Sequence, residues 1–174
     1  MEDSLIWVGR LVKTQGMKGE VRVSSPGKEA LAQSRGKAVY LEDPGGTRKA
    51  FTVTASRPLR ELTVLAFQEV QSIEEAQKLI GCSIYVNKSD LNPLPPDEFY
   101  WYQLQGIRVE TEEGKFLGIL EKVFSTGSHD VFVVCKEGKE ILLPATDEVV
   151  ARVNVQEKVM VIHPLEGLLP EDDL

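Results

Sequence analysis

At 174 residues the chain suits one large domain or two small ones, and its 42% apolar and 27% charged content is that of an ordinary globular protein. No apolar run approaches the length needed to cross a bilayer, which excludes a protein built on transmembrane helices. The net charge of −7 is uneven: residues 1–97 carry 13 Lys/Arg against 12 Asp/Glu, net +1, and residues 98–174 carry 7 against 15, net −8. An acidic half repels phosphate and attracts basic proteins, while a near-neutral half is free to approach nucleic acid locally.

The opening "MEDSLIWVGR" has neither a basic leader nor a small-residue cleavage site, so it does not read as a signal peptide. "LIWVGRLV" is apolar at consecutive positions and predicts a strand covered on both sides. "GEVRVS" alternates, with Val21 and Val23 on one face and Glu20, Arg22 and Ser24 on the other. "FTVTA", "LTVLAF" and "SIYVN" predict further strands, with turns at "QGMKG", "SSPGK" and "DPGG". One helix interrupts them at "SIEEAQKLIG", where Ser72 caps the start, Glu75 completes a capping box and Gly81 ends it. Ile73, Ala76, Leu79 and Ile80 form its apolar stripe. Short strands around one helix suggest a small closed barrel, which leaves no sheet edge exposed.

"LNPLPPDE" follows. Pro93, Pro95 and Pro96 fix φ and remove backbone donors, so the segment predicts a stiff connector. Beyond it "IRVET", "FLGILEKVF" (interrupted by Gly118), a hairpin in "DVFVVCKEGKEILLP" and "KVMVIHP" predict a second strand-rich piece. "TDEVVARV" reads as one short helical turn, and "EGLLPEDDL" as an acidic, frayed tail.

Catalytic motifs are scarce. His129 and His163 stand far apart with no Cys or carboxylate at ligand spacing, so both read as structural or solvent-facing and no metal is expected. There is no GxSxG, HExxH or Walker A loop, and "GMKGE" lacks the Lys-Ser/Thr of a phosphate loop. Cys82 and Cys135 form no CxxC and are expected as buried, reduced thiols in a cytoplasmic protein.

Surfaces remain. Arg10, Lys13, Lys18 and Arg22 flank one turn; if its strands pair, the cations share one end of the barrel, either as a phosphate-contacting patch or as an ordinary solvated rim. Phe99, Tyr100, Trp101 and Tyr102 are consecutive aromatics in a chain with 7% aromatic residues. Adjacent side chains on a regular element cannot all face one way. Trp101 and Leu104 are expected inward, and Phe99 and Tyr100 open to a partner or to the domain junction.

"VGRLVKTQGMKGEVRV" resembles the opening of the ribosome maturation factor RimM family through Gly9, Gly16, Gly19, Glu20 and Val23. "DEFYWYQLQGIRVETEEGKFLGIL" resembles the start of that family's second domain through Glu98, Phe99, Tyr100, Trp101, Leu104, Gly106 and Val109. "ILLPATDEVV" and "PLEGLL" resemble its later segments, so the likeness spans nearly the whole chain in order. Gln103 stands where the family often has Asp, Ala145 where Phe is frequent, and "TGSHD" where Gly/Ala-Asn-Asp is usual, so only Asp130 carries over there.

The resemblance implies an all-β protein of two small barrels. Residues 1–90 would form a translation-factor-like six-stranded barrel with one helix, 91–97 the Pro-rich linker, 98–168 a PRC-type barrel and 169–174 an acidic tail. It implies a non-catalytic assembly factor without cofactor, monomeric and not membrane-bound. Such a factor binds the head of the immature small subunit (pre-30S) through ribosomal protein S19 and assists 16S rRNA folding and processing. Phe99, Tyr100, Trp101 and Asp130 would bind the ribosomal protein, and Arg10, Lys13, Lys18 and Arg22 would contact rRNA. The competing expectations are a flavin-reductase-like barrel enzyme holding a cofactor and a bare PRC-barrel scaffold on a membrane complex.

Overall fold

A computed structural model describes residues 5–26, 28–126 and 128–169. The chain divides into two compact units, Met1–Pro93 and Leu94–Leu174.

The first unit contains strands β1 (Leu5–Gln15), β2 (Glu20–Ser24), β3 (Ala38–Glu42), β4 (Arg48–Leu59), β5 (Leu62–Phe67) and β6 (Ser83–Asn87). Helix α1 (Glu29–Ala32) precedes β3, and α2 (Ile73–Gln77) lies between β5 and β6. The strands close into a barrel in the order β1-β2-β5-β4-β3-β6. Closure depends on β1, whose first half pairs with β6 from Leu5↔Asn87 to Arg10↔Ser83 and whose second half pairs with β2 from Arg10↔Ser24 to Gln15↔Glu20. Alternation places Val21, Val23, Val39, Val53, Leu65 and Ile84 inside, each at most 1% exposed. Burying such a side chain fully stabilises by about 1.5–3 kcal/mol, so these positions dominate the unit's stability.

The predicted strands form, but β3 and α1 were not anticipated. Covering on both sides holds for only part of β1: Val8 and Leu11 are buried, while Val12 is exposed. Ser72 caps α2 by accepting from Glu75 N (3.2 Å), whereas the Glu75 carboxylate meets the Ser72 hydroxyl (3.3 Å). In the expected apolar stripe only Ala76 is fully buried; Ile73, Leu79 and Ile80 are half-buried. The segment after α2 is stitched to β1 by Gly81 N to Leu11 O (2.8 Å) and Leu11 N to Cys82 O (2.9 Å).

The second unit contains α3 (Trp101–Leu104) and strands β7 (Arg108–Thr111), β8 (Phe116–Ser125), β9 (Asp130–Lys136), β10 (Lys139–Pro144), β11 (Val150–Asn154) and β12 (Val159–Ile162). They form one six-stranded sheet in the order β10-β9-β8-β7-β12-β11. β7 through β10 pair antiparallel in succession, as do β11 and β12, and β12 returns to pair parallel with β7 from Val159↔Arg108 to Ile162↔Thr111. Gly118 bulges β8: a Cβ there would lie 2.5 Å from the Cys135 carbonyl oxygen at φ +143, so only glycine lets β9 approach. Ile107, Val109, Leu117, Leu120, Val134, Leu143, Met160 and Ile162 are buried.

"TDEVVARV" is a turn followed by a strand. Val149 N and Val150 N both donate to Thr146 O (3.0 and 2.8 Å), after which β11 begins. Leu169, expected in the frayed tail, is buried at 6% exposure; 170–174 lie outside the described residues. No helix among the described residues is long and apolar enough to cross a membrane.

Candidate binding surfaces

Residues 91–100 contain neither helix nor β-strand, as three prolines dictate. A turn closed by Glu98 N to Pro95 O (3.1 Å), with Asp97 at φ +71, delivers the chain to Phe99. Tyr100 holds the extended N-cap position of α3, where the Gln103 side-chain oxygen accepts from its backbone N–H (2.8 Å). Gln103 thereby satisfies a backbone donor at the start of α3, as the third helical residue does in a capping box. Gly106 N to Leu120 O (2.7 Å) and Leu120 N to Ile107 O (2.9 Å) fasten the end of this segment to β8.

The rings then divide differently from expectation. Trp101 and Leu104 are buried, as the spacing predicts. Tyr100, expected open to a partner or to the domain junction, is only 7% exposed, so it presents almost no surface to an incoming partner. Its ring stacks against Tyr102 at 6.1 Å between centroids and 17° between planes. The reachable ring surface belongs to Phe99 and Tyr102, both half-buried. Tyr102 is the aromatic that sequence reasoning passed over; its position i+2 from Tyr100, across a helix start, was the available signal. Asp130 begins β9, a different strand from the β8 that holds α3, and its carbonyl accepts from Ala145 N (2.8 Å).

On the barrel, Lys13 lies directly across the β1–β2 ladder from Arg22, and Arg10 lies across from Ser24. Arg10 and Lys13 are exposed, and Arg22 donates to the Gln15 side chain (2.6 Å). Lys18 sits exposed in the turn between the two strands. Gly19 ends that turn at φ +97, where a Cβ would lie 2.8 Å from Val70 O, so the glycine lets the turn rest on the chain leading into α2. The register adds a cation that the sequence did not single out: Arg22 pairs with Val64, and Val64 with Arg57, so Arg57 continues the same row. Glu20 partly offsets it, at 3.5 Å from Arg57.

The remaining polar groups offer little chemistry. His163 pairs with Glu112, and His129 Nδ1 lies 3.1 Å from the Ser128 hydroxyl. Cys82 is buried, and burial followed by the charge of Asp43 pushes its thiol pKa up. Cys135 is half-buried rather than buried; a hydrogen bond to Glu121, then desolvation and the charges of Glu121 and Glu140, raise its pKa as well. Neither thiol is thereby activated as a nucleophile. A cleft of about 330 Å³ beside α2 is lined by Leu41, Phe51, Leu79 and Cys82 with Asp43 and Glu69 at its rim. Those carboxylates are engaged with backbone N–H groups, Asp43 with Thr47 (3.0 Å) and Glu69 with Thr52 (2.8 Å). Among the described residues, no group of three or more His, Cys, Asp or Glu is placed to hold a metal ion.

Residues 6–91 match the model of the RimM N-terminal domain, and residues 101–168 match that of the RimM PRC barrel domain. The chain belongs to the RimM family. Relatives named ribosome maturation factor RimM align over almost their full length. The one from Syntrophobacter fumaroxidans is 32% identical over 165 residues, covering 95% of this chain and 94% of that protein. The one from Bacillus licheniformis is 38% identical over 169 residues (94% and 96%), and that from Pelobacter propionicus 36% over 167 (96% and 96%). The RimM family pattern thus assigns the closed barrel and the second sheet to two successive modules.

Proposed function

We propose that this chain is a non-catalytic, cytoplasmic assembly factor that binds the head of the immature small ribosomal subunit through ribosomal protein S19 and assists 16S rRNA folding and processing. Membership of the RimM family and the names of its relatives support the ribosomal setting. The observation that carries the partner assignment is the pairing of a net charge of −8 over residues 98–174 with half-exposed rings at the head of the same unit. Carboxylates steer and orient a basic protein, and flat rings supply the apolar contact that charge does not.

Within this proposal Phe99 and Tyr102 touch the partner, Asp130 supplies a rim charge, and Tyr100 and Trp101 hold the ring platform in place. Arg10, Lys13, Lys18 and Arg22, extended by Arg57, rest on rRNA phosphates. The factor acts as a monomer. It favours one arrangement of RNA and protein because it binds that arrangement better than its competitors. Its release requires weaker binding to the mature subunit. Sedimentation through sucrose is the test: the chain travels with immature and not mature small subunits, and Phe99→Ala with Tyr102→Ala weakens that association at least tenfold. Equal binding to both particles would refute the proposal.

A further inference from the structure

The register of the first barrel lines up aromatic rings on its outer surface. Tyr85 on β6 lies between Trp7 on β1 and Tyr40 on β3, and Tyr40 lies across from Ala50 on β4. The neighbours of the two tyrosines along their strands, Ile84 and Val86, Val39 and Leu41, are at most 3% exposed and fill the barrel. Alternation therefore turns Tyr85 and Tyr40 outward, and Trp7 with them through its pairing to Tyr85. Each of the three is half-buried, and Ala50 beside Tyr40 is exposed. Helices α1 and α2 pack chiefly against β1, β2 and β4 and do not account for rings on β3 and β6. A face made only for solvent would carry polar side chains at these positions.

The next row of the same face is charged, with an excess of cations. Arg10 lies across from Ser83, Ser83 from Glu42, and Glu42 from Arg48. Glu42 pairs with Arg48, whose guanidinium lies over the Tyr85 ring at 4.4 Å from its centroid. A planar cation is thereby set into the aromatic row. Arg10 pairs with Ser24 on its other side, so this face runs without a break into the β1–β2 hairpin that carries Lys13, Lys18 and Arg22. A basic protein is a poor occupant of a surface with these cations. An unpaired RNA strand suits it: every base has a face to stack, and every nucleotide brings a phosphate. A duplex keeps its base faces within its own stack.

We propose that this face binds a short stretch of unpaired RNA, with bases stacked on Trp7, on the Arg48 guanidinium seated on Tyr85, and on Tyr40, while Arg10 takes a phosphate. Adjacent strands lie about 4.8 Å apart, so the row spans about 10 Å and serves two or three nucleotides, as ring platforms on other RNA-binding sheets do. That the RNA is immature rRNA rests on the assembly-factor reading above; the stacking surface itself does not.

Binding of a labelled, short adenylate strand to the full chain, followed by fluorescence anisotropy, tests it. The chain has two tryptophans and Trp101 is buried, so stacking on Trp7 should also quench the wild-type tryptophan emission. Trp7→Leu with Tyr40→Leu keeps apolar bulk and removes both ring faces; it should bind at least about tenfold more weakly. Trp7→Phe with Tyr40→Phe keeps the rings and should stay within about threefold of wild type. Arg48→Gln, at a side chain 39% exposed, is tolerated by the fold and should also weaken binding. Thermal melts establish that each variant is folded. Equal affinity for an RNA duplex of the same length would assign the contact to phosphates and overturn the platform. Wild-type affinity in the folded leucine variant would reduce the rings to cross-strand packing and overturn it too. A wild-type chain that co-sediments with immature subunits but ignores the free strand overturns the platform and leaves the assembly role intact. Strand binding by a chain that fails to co-sediment supports the platform and refutes the assembly-factor reading.

Discussion

Tyr100 separates two roles that sequence reasoning merges. Its ring is buried and stacked on Tyr102, and its backbone N–H is held by Gln103, so its first duty is to build the platform. Truncating a buried ring removes its transfer free energy and leaves a cavity. Tyr100→Ala should therefore lower stability by about 3 kcal/mol, whereas Tyr100→Phe, which keeps the ring, should cost about 1 kcal/mol or less. Urea unfolding followed by tryptophan fluorescence reads both. If Tyr100→Ala unfolds at the wild-type midpoint, the ring is not part of the core. Binding lost in that variant would report a disturbed platform, and for this reason Phe99 and Tyr102 are the better probes of contact.

At the scale of elements, the β1–β2 hairpin places Lys13 directly opposite Arg22. Like charges in that position destabilise a sheet by a few tenths of a kcal/mol. A pair that the fold does not need suggests a duty elsewhere. Lys13→Glu should stabilise the barrel by about 0.5 kcal/mol and at the same time weaken binding to immature subunits. A variant that is more stable and binds equally well would reduce the pair to an ordinary rim. The elements also differ in how plainly they were written. The valines of "GEVRVS" declared β2 because one face is core and the other solvent. Helix α1 has four residues after a left-handed Lys28, too few for a period to emerge. β3 alternates Val39 and Leu41 as β2 alternates its valines, but over only five residues set between two turns. The direction of the Tyr100 ring was illegible because the helix starts one residue later, so helical spacing does not govern it.

At the scale of the molecule, the charge asymmetry was read directly from composition, and the all-β class from the strand patterns and the family resemblance. The row that unites Arg57 with Arg22 was not legible, because it joins three strands and exists only once the register is set. The charges make the whole chain respond to salt through two kinds of contact. Replacing Arg10, Lys13, Lys18 and Arg22 with Gln should flatten the dependence of binding on salt. With about 0.7 of slope per phosphate contact, four contacts would account for a change approaching about 3. An unchanged slope in filter-binding or sedimentation assays would remove rRNA from the barrel's partners.

The parallel pairing of β7 with β12 sets an order of events during synthesis. β7 emerges early, directly behind the aromatic segment, but one of its edges stays bare until residues 159–162 have left the ribosome. At about 5–20 residues per second, the first barrel has seconds to close before that happens. A nascent chain therefore has every strand of the first barrel available while the second sheet still lacks the β7–β12 pairing.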